Sequence, residues 1–417
     1  MSYSKNIVLF IALYISLILG FLFNENLNYG SYYDWIKVYV PPIKDFSDNF
    51  YHTLINFDTY GQRHSPAYLI VLSFFLKFGL NFDAIRFLHL HLCLTFILLF
   101  YYCLKLRFQN IDKSTLQLLS MFIFLSPTFR SLAIWPDSRL PGLIIFVLSI
   151  YFFLKFLKKN DHTKIINAWL SAFTLILSAY VSPNFSLFAF FTYFFFFKHL
   201  EIKNFCLLIF FSIILSLPMF YYILIMDVNF MTANKTPGID GNSLALSFNF
   251  SDKFLIISTI FLFHLLPVVY FIINQKKLFY FFKSKFIYFL PIFAILTYFF
   301  SYRSEFTGGG FFYQLSIFIF ENNYLFYLIS FFSLFLLYYF SSISKRNFFL
   351  ILIIIISNIQ NTIYHKYYEP LILIVVFLLF QNLQYDNFFS KKKNLLYLYI
   401  FSIFYILLRV YKTIFLV

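Results

Sequence analysis

Long apolar runs separated by short polar segments dominate the chain. In 348–356 and 371–380 every residue is apolar, whereas transmembrane β-strands alternate apolar and polar residues. A helix needs about 20 apolar residues to cross ~30 Å of hydrocarbon, and this pattern predicts an all-α polytopic membrane protein with about thirteen transmembrane helices in one integral membrane domain, residues 1–417. The predicted spans are 6–23, 84–104, 116–134, 140–157, 167–181, 184–198, 204–225, 254–273, 286–301, 323–341, 348–363, 370–384 and 395–411.

The charged residues between the spans predict an orientation. If the N-terminus lies in the cytoplasm, the segments that face the cytoplasm hold 19 of the 32 Lys and Arg residues. They hold few of the 17 acidic residues. Because cytoplasmic loops are enriched in Lys and Arg, we expect this topology, in a multi-pass protein of the cell's inner (plasma) membrane.

The first extracytoplasmic loop, residues 24–83, is much longer than most of the others. Its second half, 65–80, is apolar and aromatic, which predicts a helix that lies in the membrane interface. Long loops with their own structure are usually functional, so we expect the catalytic region here. A second extracytoplasmic loop is predicted at 226–253, and the glycine run 308–310 predicts a flexible outer loop. Six of the 17 acids lie in the first loop: Glu25, Asp34, Asp45, Asp48, Asp58 and Asp83.

Composition excludes several classes of protein. The chain is 61% hydrophobic and 12% charged, whereas soluble proteins carry roughly 25% charged residues. A soluble enzyme could not cover so much apolar surface without aggregating. The net charge of +15 fits the cytoplasmic bias of Lys and Arg, so we expect membrane lipids and no nucleic acid as partners. No cysteine or histidine spacing indicates a metal or other cofactor, and a divalent metal stays an open alternative.

Several motifs lie at the predicted helix ends. A His-x-Pro-aromatic segment at 64–68 is followed by Phe-Gly-Leu-Asn at 78–81 and Ala-Ile-Arg-Phe at 84–87. Trp-Pro-Asp-x-Arg occupies 135–139, and His-Lys-Tyr-Tyr-Glu-Pro at 365–370 begins the penultimate span. In this order the motifs resemble those of the GT-C fold glycosyltransferases, in particular the branch of the protein mannosyltransferases and the lipid A aminoarabinose transferases.

The resemblance covers the architecture of nearly the whole chain, with three departures in the motifs. The family often has Asp-Glu where this chain has Asp34 and Trp35, Pro-Pro where it has Ser65 and Pro66, and Arg-Tyr where it has Lys366 before a tyrosine. The resemblance implies a membrane transferase of cell envelope polysaccharide biosynthesis. Such enzymes move a sugar from a polyprenyl-phosphate donor to a lipid, glycan or protein acceptor on the extracytoplasmic side, usually with inversion.

This chemistry needs a base, a cradle for the leaving phosphate and an apolar groove for the polyprenyl chain. Asp34 is the first candidate base, because it follows soon after the first span among aromatic residues and a positioned carboxylate suits that role. Asp58 is the rival. The structural alternatives are a helix N-cap for Asp34 and a turn residue for Asp58.

Residues that donate hydrogen bonds at outer helix ends are candidates for binding the substrate phosphate. The alternatives are contact with lipid headgroups and, for Arg139, simple pairing with Asp137. His89 and His91 point to different faces of a helix, so we expect core histidines there and no metal site. The candidate substrate-binding residues are Arg63, His64, Arg139, His365, Lys366 and Tyr367.

Two other functions compete with the glycosyltransferase. An O-antigen or exopolysaccharide polymerase or ligase usually has its large outer loop late in the chain and rich in Arg, whereas here the large loop is early and acidic. A transporter or flippase should show internal repeats or ionisable residues near the bilayer midplane. No repeat is visible and the middles of the spans are almost free of charge, so the glycosyltransferase is favoured.

Overall fold

The computed structural model describes residues 3–27, 30–61, 64–158, 163–230, 249–303, 308–357 and 360–415. All regular elements in these ranges are helices. The chain packs as two compact units, which are Met1–Gly241 together with Ser402–Val417, and Asn242–Phe401.

Thirteen α-helices begin in the first unit and eight in the second, within the described ranges. The first set is α1 Tyr3–Leu22, α2 Gly30–Tyr33, α3 Val40–Asp48, α4 Phe50–Ile55, α5 Pro66–Lys77, α6 Phe82–Leu90, α7 Leu92–Arg107, α8 Lys113–Met121, α9 Pro127–Ile134, α10 Arg139–Lys158, α11 Thr163–Val181, α12 Phe188–His199 and α13 Ile202–Phe220. The second is α14 Phe250–Ile272, α15 Gln275–Tyr298, α16 Phe311–Phe320, α17 Tyr324–Ile343, α18 Lys345–Ile356, α19 Leu371–Leu379, α20 Tyr385–Phe389 and α21 Lys393–Phe415. The π-helical turns are Asp34–Tyr39 and Tyr221–Ile225, and the 3-10 helices are Phe57–Tyr60, Phe122–Leu125, Pro183–Leu187 and His365–Tyr367.

The chain is a multi-pass membrane protein. Among the described residues, nine helices are long and apolar enough to cross a membrane. A tenth candidate is the pair Lys113–Leu125 and Pro127–Ile134, which is bent by 68°. The bend falls where Pro127 lacks the N–H that would continue the helix.

Three predicted spans are shorter helices. The predicted spans 184–198 and 348–363 overlap α12 and α18, which have 12 residues each. The predicted span 370–384 contains α19, which has 9 residues. At about 1.5 Å per residue, none of them covers ~30 Å of hydrocarbon by itself. Every residue of α19 is buried, so this apolar run is a core helix of the second unit. The expectation of thirteen spans is therefore not confirmed.

α10 lies at the centre of the first unit, against α7 and α11. The hydroxyl of Ser149 donates to the carbonyl of Ser171 at 2.9 Å, and the hydroxyl of Ser171 donates to the carbonyl of Ser149 at 3.1 Å. A Cβ added at Gly142 would lie 2.7 Å from the Cβ of Ser182. Small residues let α10 and α11 approach closely, which gives Arg139, the first residue of α10, a rigid support.

The long first loop is folded. A helix, α5, lies within the predicted 65–80, and its N-cap Ser65 accepts the Ala67 N–H at 3.3 Å. Its position in the membrane interface stays a prediction. α3 packs against α5, and Trp35, Tyr39 and Ile43 are buried at the four-residue spacing of one helix face. Most of the predicted second loop, 231–248, lies outside the described residues.

The second unit holds the glycine run closely. Gly309 has φ +76°, and its N–H donates to the Ile363 carbonyl at 2.9 Å. A Cβ there would lie 2.5 Å from Cδ1 of Tyr313. Neighbouring chain thus packs against these glycines, and the flexibility expected of the loop at 308–310 stays a prediction.

Replacing Gly309 with alanine should lower the free energy of unfolding by about 2–4 kcal/mol, since left-handed strain and a clash add. Gly79 is the matched control, because its φ is +89° and nothing lies within 4 Å of an added Cβ. Gly79→Ala should cost only the strain, about 1–2 kcal/mol. Thermal unfolding in detergent measures both variants, and equal losses would contradict the packing argument.

Candidate functional site

The first loop is tied to the polypeptide around 130–135. Arg130 donates from Nε and Nη2 to the two carboxylate oxygens of Glu25, each at 2.7 Å. The indole of Trp135 donates to the Glu25 carbonyl at 2.8 Å. Bidentate Arg–carboxylate pairs fix geometry as well as charge. The start of the loop is therefore held beside the segment that contains Asp137 and Arg139.

Residues from the loop and from 137–139 form a polar cluster, which consists of Tyr39, His64, Asp137, Ser138 and Arg139. The rings of Tyr39 and His64 lie 5.0 Å apart, and the Ser138 hydroxyl is 3.4 Å from Nδ1 of His64. The Arg139 N–H donates to Oδ1 of Asp137 at 2.9 Å, and its Nη1 lies 3.6 Å from Oδ2. Asp137 and Arg139 are both buried, so this ion pair is shielded from solvent.

Two carboxylates act on the buried hydroxyl of Tyr39. Burial raises the pKa of Tyr39 most, and the negative charge of Asp137 adds to the rise. Arg139 and Ser138 lower this pKa, while Asp34 raises it further. The hydroxyl therefore stays protonated as a donor, and the half-buried Asp34 belongs to the same electrostatic neighbourhood as Asp137.

A hydrogen-bonded pair extends the polar cluster inward. The hydroxyl of Tyr68 donates to Nδ1 of His89, and Nε2 of His89 donates to the Leu132 carbonyl at 2.8 Å. Burial, followed by the charge of Asp137, raises the pKa of Tyr68. His89 is buried and has both ring nitrogens engaged, as expected of a core histidine.

An aromatic cavity of about 520 Å³ lies beside the start of the loop. Its walls include Asn24, Tyr32, Trp35, Lys44, Arg86 and Trp135. Trp35 follows Asp34 directly, and Trp135 precedes Asp137 by two residues. Two of the lining residues are therefore close in the sequence to Asp34 and Asp137. The walls combine aromatic side chains with two cations.

An apolar groove of about 590 Å³ begins at the other end of the loop. It is lined by Ser65, Pro66, Ala67 and Ile70 of the loop, by Tyr180, and by residues between Ile214 and Met226. Leu217 and Tyr221 are more than half exposed on this wall. An exposed apolar wall on a membrane-spanning helix faces lipid, so the groove is accessible to a hydrocarbon chain.

One wall of the groove is a helix whose hydrogen-bond ladder is interrupted at one point. Pro218 removes one N–H from α13, and the Tyr180 hydroxyl enters the gap, where it donates to the Leu215 carbonyl at 2.7 Å. The same hydroxyl accepts the Met219 N–H at 3.2 Å. A side chain inserted into a helical ladder opens it locally, and Tyr180 is itself one of the residues that line the groove.

The other loop residues predicted for the site have different positions. Asp34 is the first residue of a π-helical turn whose N-cap is Tyr33, so it is not a capping residue. Asp58 is exposed on a 3-10 helix, outside the polar cluster. Arg63 lies outside the described residues.

His365, Lys366 and Tyr367 belong to the second unit, on a 3-10 helix. Nε2 of His365 accepts the Phe311 N–H at 2.8 Å, and its Nδ1 lies 3.2 Å from Nε2 of His264. Lys366 lies 5.4 Å from the centre of the Tyr364 ring. The Tyr367 hydroxyl donates to Oε1 of Gln360 at 3.3 Å. Each predicted residue here thus has protein contacts, and their role in substrate binding stays a prediction.

Sequence reasoning missed the wider role of Asp137 and the involvement of Tyr39. Asp137 does pair with Arg139, but its charge also reaches Tyr39 and Tyr68. The available signal was the short segment 135–139, where Asp and Arg adjoin a Trp-Pro pair at a helix start. No three His, Cys, Asp or Glu side chains in the described ranges are placed to hold a metal ion.

Comparison of the chain with models of known protein families, with characterised proteins and with solved structures finds no significant match.

Proposed function

We propose that this protein is a membrane glycosyltransferase that moves a sugar from a polyprenyl-phosphate donor to a hydroxyl of a lipid, glycan or protein acceptor. The observation that carries the proposal is the position of His64. Its ring packs on Tyr39 in the polar cluster, and the next three residues of the chain line the apolar groove. A donor with a hydrocarbon tail and a phosphate needs this adjacency of an apolar and a polar site.

In this proposal the polyprenyl chain occupies the apolar groove and the donor phosphate lies at its polar end. α5 begins there, and the N-terminus of a 12-residue helix favours an anion. His64 supplies a hydrogen-bond donor, and the buried Arg139 adds positive charge to the polar cluster. Asp137 holds Arg139 in place through both its main-chain and side-chain contacts.

Asp34 is the proposed base. It takes the proton from the acceptor hydroxyl, whose oxygen then attacks the anomeric carbon of the donor sugar. The bond from that carbon to the phosphate oxygen breaks, and its electron pair leaves with the polyprenyl phosphate. Attack opposite the leaving group inverts the anomeric configuration. Asp34 is preferred over Asp58 because it is half-buried and acts on Tyr39, whereas Asp58 is exposed.

The membrane arrangement is part of the same proposal. Many basic residues lie in the segments expected on the cytoplasmic side, whereas the acidic first loop is expected on the opposite side. Because cytoplasmic loops are enriched in Lys and Arg, this pattern favours an active site on the extracytoplasmic face of the plasma membrane. A GT-C-like arrangement of thirteen passes would require the short helices α12, α18 and α19, with the polypeptide that flanks them, to complete three of the crossings.

A donor panel tests the proposed activity. Membranes containing the protein are supplied with radiolabelled polyprenyl-phosphate sugars, and label transferred to lipid, glycan and protein fractions is measured. Transfer from at least one donor, absent from membranes without the protein, is the expected result. Transport of a labelled donor across sealed vesicles with no transfer from any donor would contradict the proposal in favour of a flippase.

Filling the apolar groove should impair long donors selectively. Ile70→Trp should raise KM for the full-length polyprenyl donor about tenfold. This is the effect expected if the new side chain displaces about two methylene groups of the donor tail from the groove. A donor with one or two isoprene units should be affected much less. Val71→Trp is the control, because Val71 lies on the same helix but does not line the groove. Equal effects of Ile70→Trp on long and short donors would exclude the groove as the tail site.

A further inference from the structure

The aromatic cavity is not used by the donor in the proposed reaction. None of its lining residues lines the apolar groove, so the two sites are separate. Its volume of about 520 Å³ lies within the usual range of small-molecule sites, which are mostly apolar and aromatic with a few placed polar groups. Trp35, which lines this cavity, directly follows the proposed base Asp34 in the chain, so we expect the acceptor to bind here.

Arg86 is a buried cation of the cavity. Only 7% of the residue is exposed, and its guanidinium carbon lies 3.9 Å from the centre of the Trp135 ring. Nη2 donates to the Asn24 side chain at 3.0 Å and Nη1 to Asp83 at 3.2 Å. Within the described residues its Nε has no hydrogen-bond partner. The Trp135 ring and two hydrogen bonds hold the guanidinium in place, and they use only part of its five N–H donors.

The charge of Arg86 is only weakly neutralised. Its acidic partner Asp83 has a side chain that is 83% exposed, and exposed ion pairs contribute little. Lys44 adds a second cation, with Nζ 5.7 Å from the centre of the Phe82 ring. The lining therefore carries two cations and one carboxylate, which leaves one positive charge in excess.

The aromatic walls favour a ring-shaped ligand. Tyr32 and Trp135 meet edge to face with their ring centres 4.9 Å apart, and Trp35 meets Phe82 in the same way at 6.0 Å. Such rigid aromatic surfaces bind the apolar faces of flat or cyclic ligands. The side-chain amide of Asn24 can bond to hydroxyl groups at the rim.

We infer that the aromatic cavity binds the acceptor, and that this acceptor is an anionic sugar, a hexose that carries a phosphate or a carboxylate. Arg86 and Lys44 bind the anion, and the sugar ring stacks on the Trp35 and Trp135 side of the cavity. Binding of such a sugar does not depend on catalysis, whereas its role as acceptor rests on the proposed glycosyl transfer.

Tryptophan fluorescence measures the binding step. The chain has 3 tryptophans, and Trp169, whose ring contacts that of Phe211, does not line the cavity. In the full-length Trp169→Phe protein, glucose 6-phosphate and glucuronate should quench the emission. Both should bind at least about tenfold more tightly than glucose, which corresponds to one charge-assisted hydrogen bond. Inorganic phosphate, which lacks the ring, should bind more weakly than glucose 6-phosphate.

Variants separate the site from general charge effects. Lys44→Gln removes an exposed cation and should weaken glucose 6-phosphate binding several-fold, by about the strength of one such bond. Arg86→Gln should weaken it further if that variant keeps its unfolding temperature. Lys77→Gln, an exposed lysine outside the cavity, should bind normally. Equal binding of glucose and glucose 6-phosphate, equal binding of phosphate alone, or normal binding by Lys44→Gln would overturn the inference.

Kinetics then distinguish an acceptor site from a donor site. With the active polyprenyl donor, Lys44→Gln should raise KM for the anionic acceptor and leave KM for the donor unchanged. A rise in donor KM instead, or equal transfer to neutral and anionic acceptors, would overturn the acceptor role while glycosyl transfer stands. Quenching by anionic sugars in a protein that turns over no donor would support the binding site and remove the proposed function.

Discussion

Replacing Asp34 with asparagine should lower the rate of sugar transfer by about 10²–10⁴-fold, the contribution of a positioned general base. Asparagine keeps the size of the side chain but cannot accept the acceptor's proton. Asp34 is only half-buried at the start of a π-helical turn, so the variant should fold normally. Initial rates with the donor identified in the panel, per amount of folded protein, measure the effect.

Two aspartates of the same loop are the controls. Asp48 is exposed at the end of α3, and Asp48→Asn should transfer sugar at the wild-type rate. Asp58→Asn should also stay within a few-fold of wild type, because Asp58 is exposed and outside the polar cluster. Wild-type activity in Asp34→Asn together with loss in Asp58→Asn would assign the base to Asp58.

Replacing Arg130 with methionine should lower the free energy of unfolding by about 3 kcal/mol, the lower end of the cost of removing one partner from a buried ion pair, because the Glu25 side chain is 22% exposed. Arg130 is 5% exposed and bonds both carboxylate oxygens of Glu25. It also donates to the Ser16 carbonyl at 2.9 Å. All of these acceptors would lose a donor at once. Unfolding by a denaturing detergent, followed by loss of helical signal, measures the change.

A double-mutant cycle tests whether the pair itself is responsible. Combining Arg130→Met with Glu25→Gln should cost less than the sum of the two single changes, because the second change removes the uncompensated charge. Arg303→Met, at an exposed arginine, should be nearly neutral. Additive losses in the cycle would mean that Arg130 acts through packing. The activity of the Glu25→Gln variant would then show how far the anchored loop depends on this pair.

The helical architecture was predictable because a membrane leaves few alternatives. In lipid a segment must satisfy its own backbone hydrogen bonds, so long apolar runs become helices. The predicted spans 140–157 and 204–225 correspond to helical stretches at Arg139–Lys158 and Ile202–Ile225. For the run at 370–384, hydropathy could not distinguish a membrane span from a core helix, because an apolar sequence suits both lipid and protein surroundings. In α19 every residue is buried, which no local pattern reveals.

The candidate site was predictable in part. Asp34, His64 and Arg139 were selected from loop position and residue type, and all three are associated with Tyr39 through ring contact or electrostatic interaction. The burial of Asp137 and the exposure of Asp58 were not predictable, because burial depends on which distant helices pack over a residue. The same limit applies to Trp135, whose place beside Arg86 joins segments far apart in the chain.

By itself, the sequence determined that this is a helical multi-pass membrane protein and that six of its 17 acidic residues lie in one long segment, 24–83. That much follows from hydropathy and charge, which act locally along the chain. Only the tertiary structure decided which of those charges are shielded and which line a cavity. The bond between Arg130 and Glu25 and the stacking of Arg86 on Trp135 depend on helix packing. Since low-dielectric surroundings set the strength of every charge in a site, that packing distinguishes the candidate site from an ordinary charged loop.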